Sequence, residues 1–208
     1  TMPIDAWSGF WVQVSRNLDI LFPPSPGQPS PPATMTMTVD PLRYYLVSAP
    51  LIPGNGDQSA VFGDDIGGSP EVEWRVSKYN YQTGSFQRYT GTGSIPGVIS
   101  GRGFWLYVNL ETQKTLGVTG SPVNQSSDYA LKLLANGSSW TNHMIGNPFP
   151  YPFRWGDVKV RVPVTQGLPL GKTARAAIDE TVTWHIDLEI ADASGTLKDS
   201  NNRAGVIE

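Results

Sequence analysis

One pattern occurs twice in this chain. Gly9-Phe10-Trp11-Val12-Gln13-Val14 runs on through Ser15-Arg16-Asn17 to Leu18-Asp19-Ile20-Leu21, and Gly103-Phe104-Trp105-Leu106-Tyr107-Val108-Asn109-Leu110 runs on to Thr115-Leu116. The two copies start 94 positions apart. In the first, Phe10, Val12 and Val14 fall on one face of a strand, and Trp11 and Gln13 on the other. Arg16-Asn17 reads as a turn, and a second strand carries Leu18, Ile20 and Leu21. A chain that repeats an aromatic, alternating strand is built from a duplicated β unit.

The rest of the chain repeats in the same order. Leu46-Val47-Ser48-Ala49-Pro50-Leu51 is matched by Met144-Ile145-Gly146-Asn147-Pro148-Phe149, and Trp74-Arg75-Val76 by Trp184-His185-Ile186. Between these lie Thr34–Val39, alternating with a threonine face, and Tyr44–Leu51, more continuously apolar and expected to be more central. A polar loop is expected over 54–70 and a hairpin over 71–90 with Thr83-Gly84 at its turn. Further strands follow at Tyr129–Leu134, Val158–Val162 and Val182–Ala191, with a turn at Asn136-Gly137. Thr173–Ile178 is the only helix candidate. The expected fold is therefore all-β, a duplicated antiparallel sandwich or barrel-like unit with almost no helix.

Six prolines lie within residues 23–33, which excludes that stretch from a sheet interior. Proline-rich chain favours an extended, semi-rigid conformation of roughly 3 Å per residue. The stretch is either a spacer that carries residues 1–22 away from the rest or a surface connection packed on its own domain. The chain thus divides into an N-terminal strand segment (1–22), a proline-rich spacer (23–33), a first β half-unit (34–116) and a second (117–208).

Composition narrows the function. Charged residues make up 16% of the chain and Gly (22) and Pro (18) are abundant, as short strands joined by tight turns require. A net charge of −3 argues against nucleic acid, which needs a basic surface. With no Cys, thiolate chemistry, thiolate zinc sites and disulfides are excluded. No apolar run approaches the roughly 20 residues that span a bilayer. The chain starts at Thr1 without a signal peptide, which suggests a processed mature form or a fragment.

No catalytic pattern stands out: G-x-S-x-G, H-E-x-x-H and P-loop spacings are all missing, and no pair of carboxylates is marked as a dyad. His143 and His185 are the only histidines; His185 and Asp187 share a polar strand face, but two ligands do not make a metal site. Asp57, Asp64 and Asp65 in a Gly-rich loop are weak calcium candidates, without the spacing of a known calcium loop. No cofactor is expected, and no enzyme activity. Trp7, Trp11, Trp74, Trp105, Trp140, Trp155 and Trp184 supply rings that could stack on sugars, although most are needed as core. Asn124 and Asn136 sit in sequons that matter only in a host able to glycosylate them.

The series Leu46-Val47-Ser48-Ala49-Pro50, Val61-Phe62-Gly63-Asp64-Asp65, Trp74-Arg75, Gly101-Arg102-Gly103-Phe104-Trp105-Leu106 and Ile145-Gly146-Asn147-Pro148-Phe149 with Trp155 resembles a β-rich module that recurs in large secreted and cell-surface proteins of bacteria. Residues 185–206 resemble the stretch that often follows it. The resemblance implies a non-catalytic role, outside the cell or on its surface. In the module's usual order, a strand like Ala6–Val12 closes the second half-unit; here it stands ahead of both. Either the chain is circularly permuted and fills its own sheet, or residues 1–22 complete a neighbouring copy by strand exchange. The second reading makes Phe10, Trp11, Val12, Val14, Leu18, Ile20 and Leu21 the assembly residues and identical subunits the partner. An adhesive or glycan-binding module of a larger surface protein is the alternative.

Overall fold

The computed structural model describes residues 3–24, 33–137, 140–161, 190–191 and 197–198. In chain order its strands are β1 (Pro3–Ile4), β2 (Gly9–Val14), β3 (Leu18–Phe22), β4 (Thr34–Val39), β5 (Arg43–Ser48), β6 (Ile52–Pro53), β7 (Trp74–Asn80) and β8 (Ser85–Arg88). They continue with β9 (Gly103–Val108), β10 (Lys114–Ser121), β11 (Tyr129–Leu133), β12 (Thr141–Gly146), β13 (Phe153–Arg154) and β14 (Lys159–Arg161), then the short pair β15 (Ile190–Ala191) and β16 (Leu197–Lys198). All named strand pairs are antiparallel. The fold is all-β and sandwich-like, with several separate sheets and, among the described residues, no closed barrel. The helix candidate Thr173–Ile178 and the Trp184 strand up to Glu189 lie outside the described residues.

Two hydrophobic cores organise the molecule. The first lies between the sheet β5-β9-β7-β8 and the sheet β4-β10-β6 and is filled by Val47, Phe62, Trp74, Val76, Phe104, Leu106, Leu116 and Val118, among others. The second gathers Phe10, Val12, Val14, Ile20 and Phe22 with Leu131, Leu133, Ile145, Phe149, Phe153 and Trp155. Its strands are β12-β2, β11-β3-β14 and β1-β13. The N-terminal segment therefore pairs with strands more than a hundred residues away. Gly9–Val14 faces Thr141–Gly146. Leu18–Phe22 lies between β11 and β14.

The repeat reappears in the pairing. In the first half Ser48, Val47 and Leu46 oppose Gly103, Phe104 and Trp105; in the second, Gly146, Ile145 and Met144 oppose Gly9, Phe10 and Trp11. The two strand pairs also cross in equivalent ways. Ser8 bridges to Val47 and Arg102 to Ile145. Ser48 N donates to Trp7 O at 2.9 Å, and Gly146 N donates to Gly101 O at 3.1 Å. Glycine begins each Gly-Phe-Trp strand because backbone passes directly over it. A Cβ on Gly103 would meet Ile145 O at 2.8 Å, and one on Gly9 would meet Val47 O at 3.1 Å.

Three local expectations are corrected. Residues 54–70 are not simply a polar loop. Ser59–Gly63 and Asp64–Ile66 form two consecutive helical turns that bury Val61, Phe62 and Ile66 in the first core. β5 is an edge strand of its sheet, with β9 and β7 central; its apolar run reflects Val47 and the buried Ser48-Ala49-Pro50-Leu51 corner, while Arg43 and Tyr44 are exposed. Strand β10 passes through residue 116, with Leu116 and Val118 both in the first core. The first half-unit's strands therefore extend to Ser121, beyond the boundary expected at 116.

Candidate functional site

The segment expected to carry assembly is the N-terminal one, and the structure shows how it is seated. Phe10, Val12 and Val14 point into the second core, with Phe10 only 1% exposed. Phe10 meets the Trp155 ring edge to face at 5.1 Å. Ile20 joins the same core, and Leu18 packs against it from a half-buried position. Leu21 is buried but lies outside that cluster, on the alternate face of β3. Trp11 departs from the group. It projects from the opposite face of β2 and packs edge to face on Tyr79 (5.2 Å) and Phe86 (6.0 Å) of the β7–β8 hairpin. Its role is to hold the segment to the first half-unit rather than to fill the second core.

Four important members of the seat were not among the assembly residues expected from sequence. Ile4 is buried in the second core, and Phe22 packs edge to face on Phe153 at 5.3 Å. Trp7 enters the first core, and its indole N–H donates to Thr36 O at 3.1 Å. The fourth is Asn147, fully buried. Its Nδ2 donates to Ile4 O (3.1 Å) and Tyr151 O (2.8 Å), and its Oδ1 accepts from Phe149 N at 2.8 Å. Its own N–H donates to Ser8 O at 3.0 Å. Both amide hydrogens are used and the oxygen accepts one bond, so the buried amide is satisfied at both ends. The signal in the sequence was an Asn directly before Pro148, which reads as an ordinary turn residue.

Eight side chains of the segment are buried: Ile4, Trp7, Phe10, Val12, Val14, Ile20, Leu21 and Phe22. At roughly 1.5–3 kcal/mol for each large apolar side chain, their burial matches or exceeds the 5–15 kcal/mol by which a typical domain is stable. The two cores need this segment from some chain.

Basic side chains gather where the half-units meet. Arg102 Nη2 donates to Lys132 O at 2.9 Å, and the Lys78 ammonium lies 5.5 Å from the centre of the Phe104 ring. Burial, reinforced by the Arg102 charge, pushes the Lys78 ammonium down to about 8. Burial likewise drives His143 down to about 4, with Arg102 acting in the same direction and the hydrogen bond to Leu134 O opposing both. The imidazole is thus neutral at pH 7. Its Nε2–H donates to Leu134 O at 3.0 Å and its ring packs at a tilt against Tyr81, 4.8 Å between centroids. His143 has the environment of a structural donor. His185 and Asp187 lie outside the described residues.

The acidic loop residues have structural partners. Asp57 Oδ1 accepts from Ser59 N (3.0 Å), Ser59 Oγ (2.5 Å) and the Tyr89 hydroxyl (2.6 Å). Asp64 Oδ1 accepts from Asp65 N (3.0 Å), and Asp65 Oδ2 accepts from Gly117 N (2.6 Å). Among the described residues, no three His, Cys, Asp or Glu side chains converge as a metal site, and no helix is long and apolar enough to cross a membrane. Of the tryptophans, Trp7, Trp74 and Trp155 are buried, Trp11 and Trp105 are half-buried, and Trp140 is exposed. Comparison of the chain with protein-family models, with curated proteins and with solved structures gave no match.

Proposed function

We propose that this protein is a non-catalytic structural component of the cell surface or extracellular space. In this reading its copies assemble by exchanging the N-terminal segment, residues 1–22. The observation that carries the reading is the position of β3. It is the middle strand between β11 and β14, yet it is joined to the rest of the chain only through residues 23–33. The same pairing can be made within one chain or between two, because exchange reproduces every native contact and changes only which chain supplies the segment. Reciprocal exchange closes a dimer, and head-to-tail exchange propagates a filament. The resemblance of the motif series to modules of secreted and surface proteins supports the location.

A thiol cross-link tests this directly, because the chain has no Cys of its own. Gln13 and Asn142 are cross-strand partners. One chain carries Gln13→Cys, a second of different mass carries Asn142→Cys, and the two are expressed together and oxidised. Exchange yields a disulfide-linked heterodimer. Should the double variant link only within its own chain while the mixture of single variants never links, exchange of the segment is wrong.

A further inference from the structure

We propose a second binding site, for a neutral sugar ring, in the cleft between the β7–β8 turn and the side chains of Asn136, Trp140 and Asn142. The cleft encloses about 230 Å³ and is walled by Tyr79, Tyr81, Gln82, Asn136, Trp140 and Asn142, with small hydroxyl and glycine residues between them. It is smaller than the roughly 300–1,000 Å³ of clefts that enclose drug-sized ligands. It therefore admits one ring, with the remainder of a chain left in solvent.

Three features of the wall select the ligand class. First, Trp140 is 42% exposed and is the one exposed tryptophan among the described residues. An indole left in water at a cleft mouth offers a flat apolar face with an N–H at its edge. The face of a pyranose ring that carries only C–H groups matches that surface. Second, the polar groups are primary amides and hydroxyls. An amide both donates and accepts, as a vicinal diol does. Third, none of the residues lining the cleft is charged, so an anionic or cationic ligand would lose its hydration without gaining a partner.

The walls are also held in place before any ligand arrives. Asn136 Nδ2 donates to Gln82 O at 2.9 Å, tying one side of the cleft to the other, and Asn136 N donates to Thr141 Oγ1 at 2.8 Å. Tyr79 packs edge to face with Trp11 and Phe86, Tyr81 packs at a tilt against His143, and Asn142 stands on a strand paired to Gln13. A preformed wall spares the ordering that weakens binding by flexible loops. The same wall forms whether Trp11 and Gln13 come from the same chain or from an exchanged segment, so the proposal does not rest on the assembly proposed above.

The test is an array of neutral hexose and pentose oligosaccharides probed with the full chain. Each hit is then titrated by isothermal calorimetry against the parent, Trp140→Ala and Gln82→Ala. Binding of at least one neutral glycan is expected, weakened ten-fold or more by Trp140→Ala and measurably by Gln82→Ala, with the thermal midpoint of both variants within a few degrees of the parent. The proposal is overturned if no neutral saccharide binds at millimolar concentration, if only charged polysaccharides bind, or if both variants bind as the parent does.

Discussion

Ser48 and Gly146 occupy equivalent places in the two halves, and they face each other where the strand pairs cross. Only one of them can carry a side chain. A Cβ on Gly146 would overlap Ser48 Cβ outright, and would also lie 2.9 Å from Ser8 O. Gly146→Ala is therefore expected to destabilise the fold by about 1–3 kcal/mol, the range for overpacking a tight core. Ser48→Gly in the same chain vacates the space. It also gives up the Ser48 Oγ hydrogen bond to Asn147 O at 3.3 Å, so the rescue is partial. Urea melts of the two single variants and the double variant measure this as a coupling of about 1 kcal/mol or more. Simple additivity would mean that the two positions do not share one space. The repeat itself was legible in the residues, since Gly-Phe-Trp occurs twice with alternating neighbours. The reason for its glycines was not. Sequence says that backbone can come close to a glycine, but not which strand does so.

At the scale of elements, what sequence disclosed was whatever depended on local alternation. β2, the Arg16-Asn17 turn, β3, the threonine face of β4 and the β7–β8 turn are all set by near neighbours. The errors came from long-range packing. Residues 54–70 looked like a polar, glycine-rich loop, yet Val61, Phe62 and Ile66 find a core built from β7, β9 and β10. The same applies to the latch on β1. Two residues hardly form a strand alone, and among the described residues β1 pairs only with β13, so the Asn147 bond to Ile4 O adds to its hold. Replacing Asn147 with Ala leaves Ile4 O, Tyr151 O and Phe149 N without this partner in a dry interior. That is expected to cost about 2–4 kcal/mol, since each orphaned buried group loses on the order of 1–3 kcal/mol, partly recovered by relaxation. Hydrogen exchange should quicken most at Ile4 and across 147–154. A uniform, small loss of protection over both cores would show that Asn147 is not what secures β1.

Among the described residues, two hydrophobic cores share the N-terminal segment, and the length of residues 23–33 bears on which chain supplies it. Its ends are pinned. Phe22 pairs with Tyr129 on one side, and Thr34 pairs with Thr119 on the other, with Gly120 N donating to Ala33 O at 3.0 Å. The stretch therefore links the strand that ends at Phe22 to the one that begins at Thr34. Eleven residues of extended, proline-rich chain reach about 34 Å at roughly 3.1 Å each. Removing residues 26–31 leaves five, with a reach of about 15 Å. A connection too short to close on its own chain favours exchange with a neighbour. The shortened chain is expected to move from monomer toward dimers or longer species, with the average mass rising with concentration in light scattering after size exclusion. Replacing 23–33 with a Gly/Ser stretch twice as long should have the opposite effect, because a flexible tether raises the local concentration of the chain's own segment. Both variants keep residues 1–22 and both cores, so neither exposes the surface that a simple truncation would. If mass is indifferent to the length of this stretch in both directions, whatever assembly occurs does not pass through the N-terminal segment.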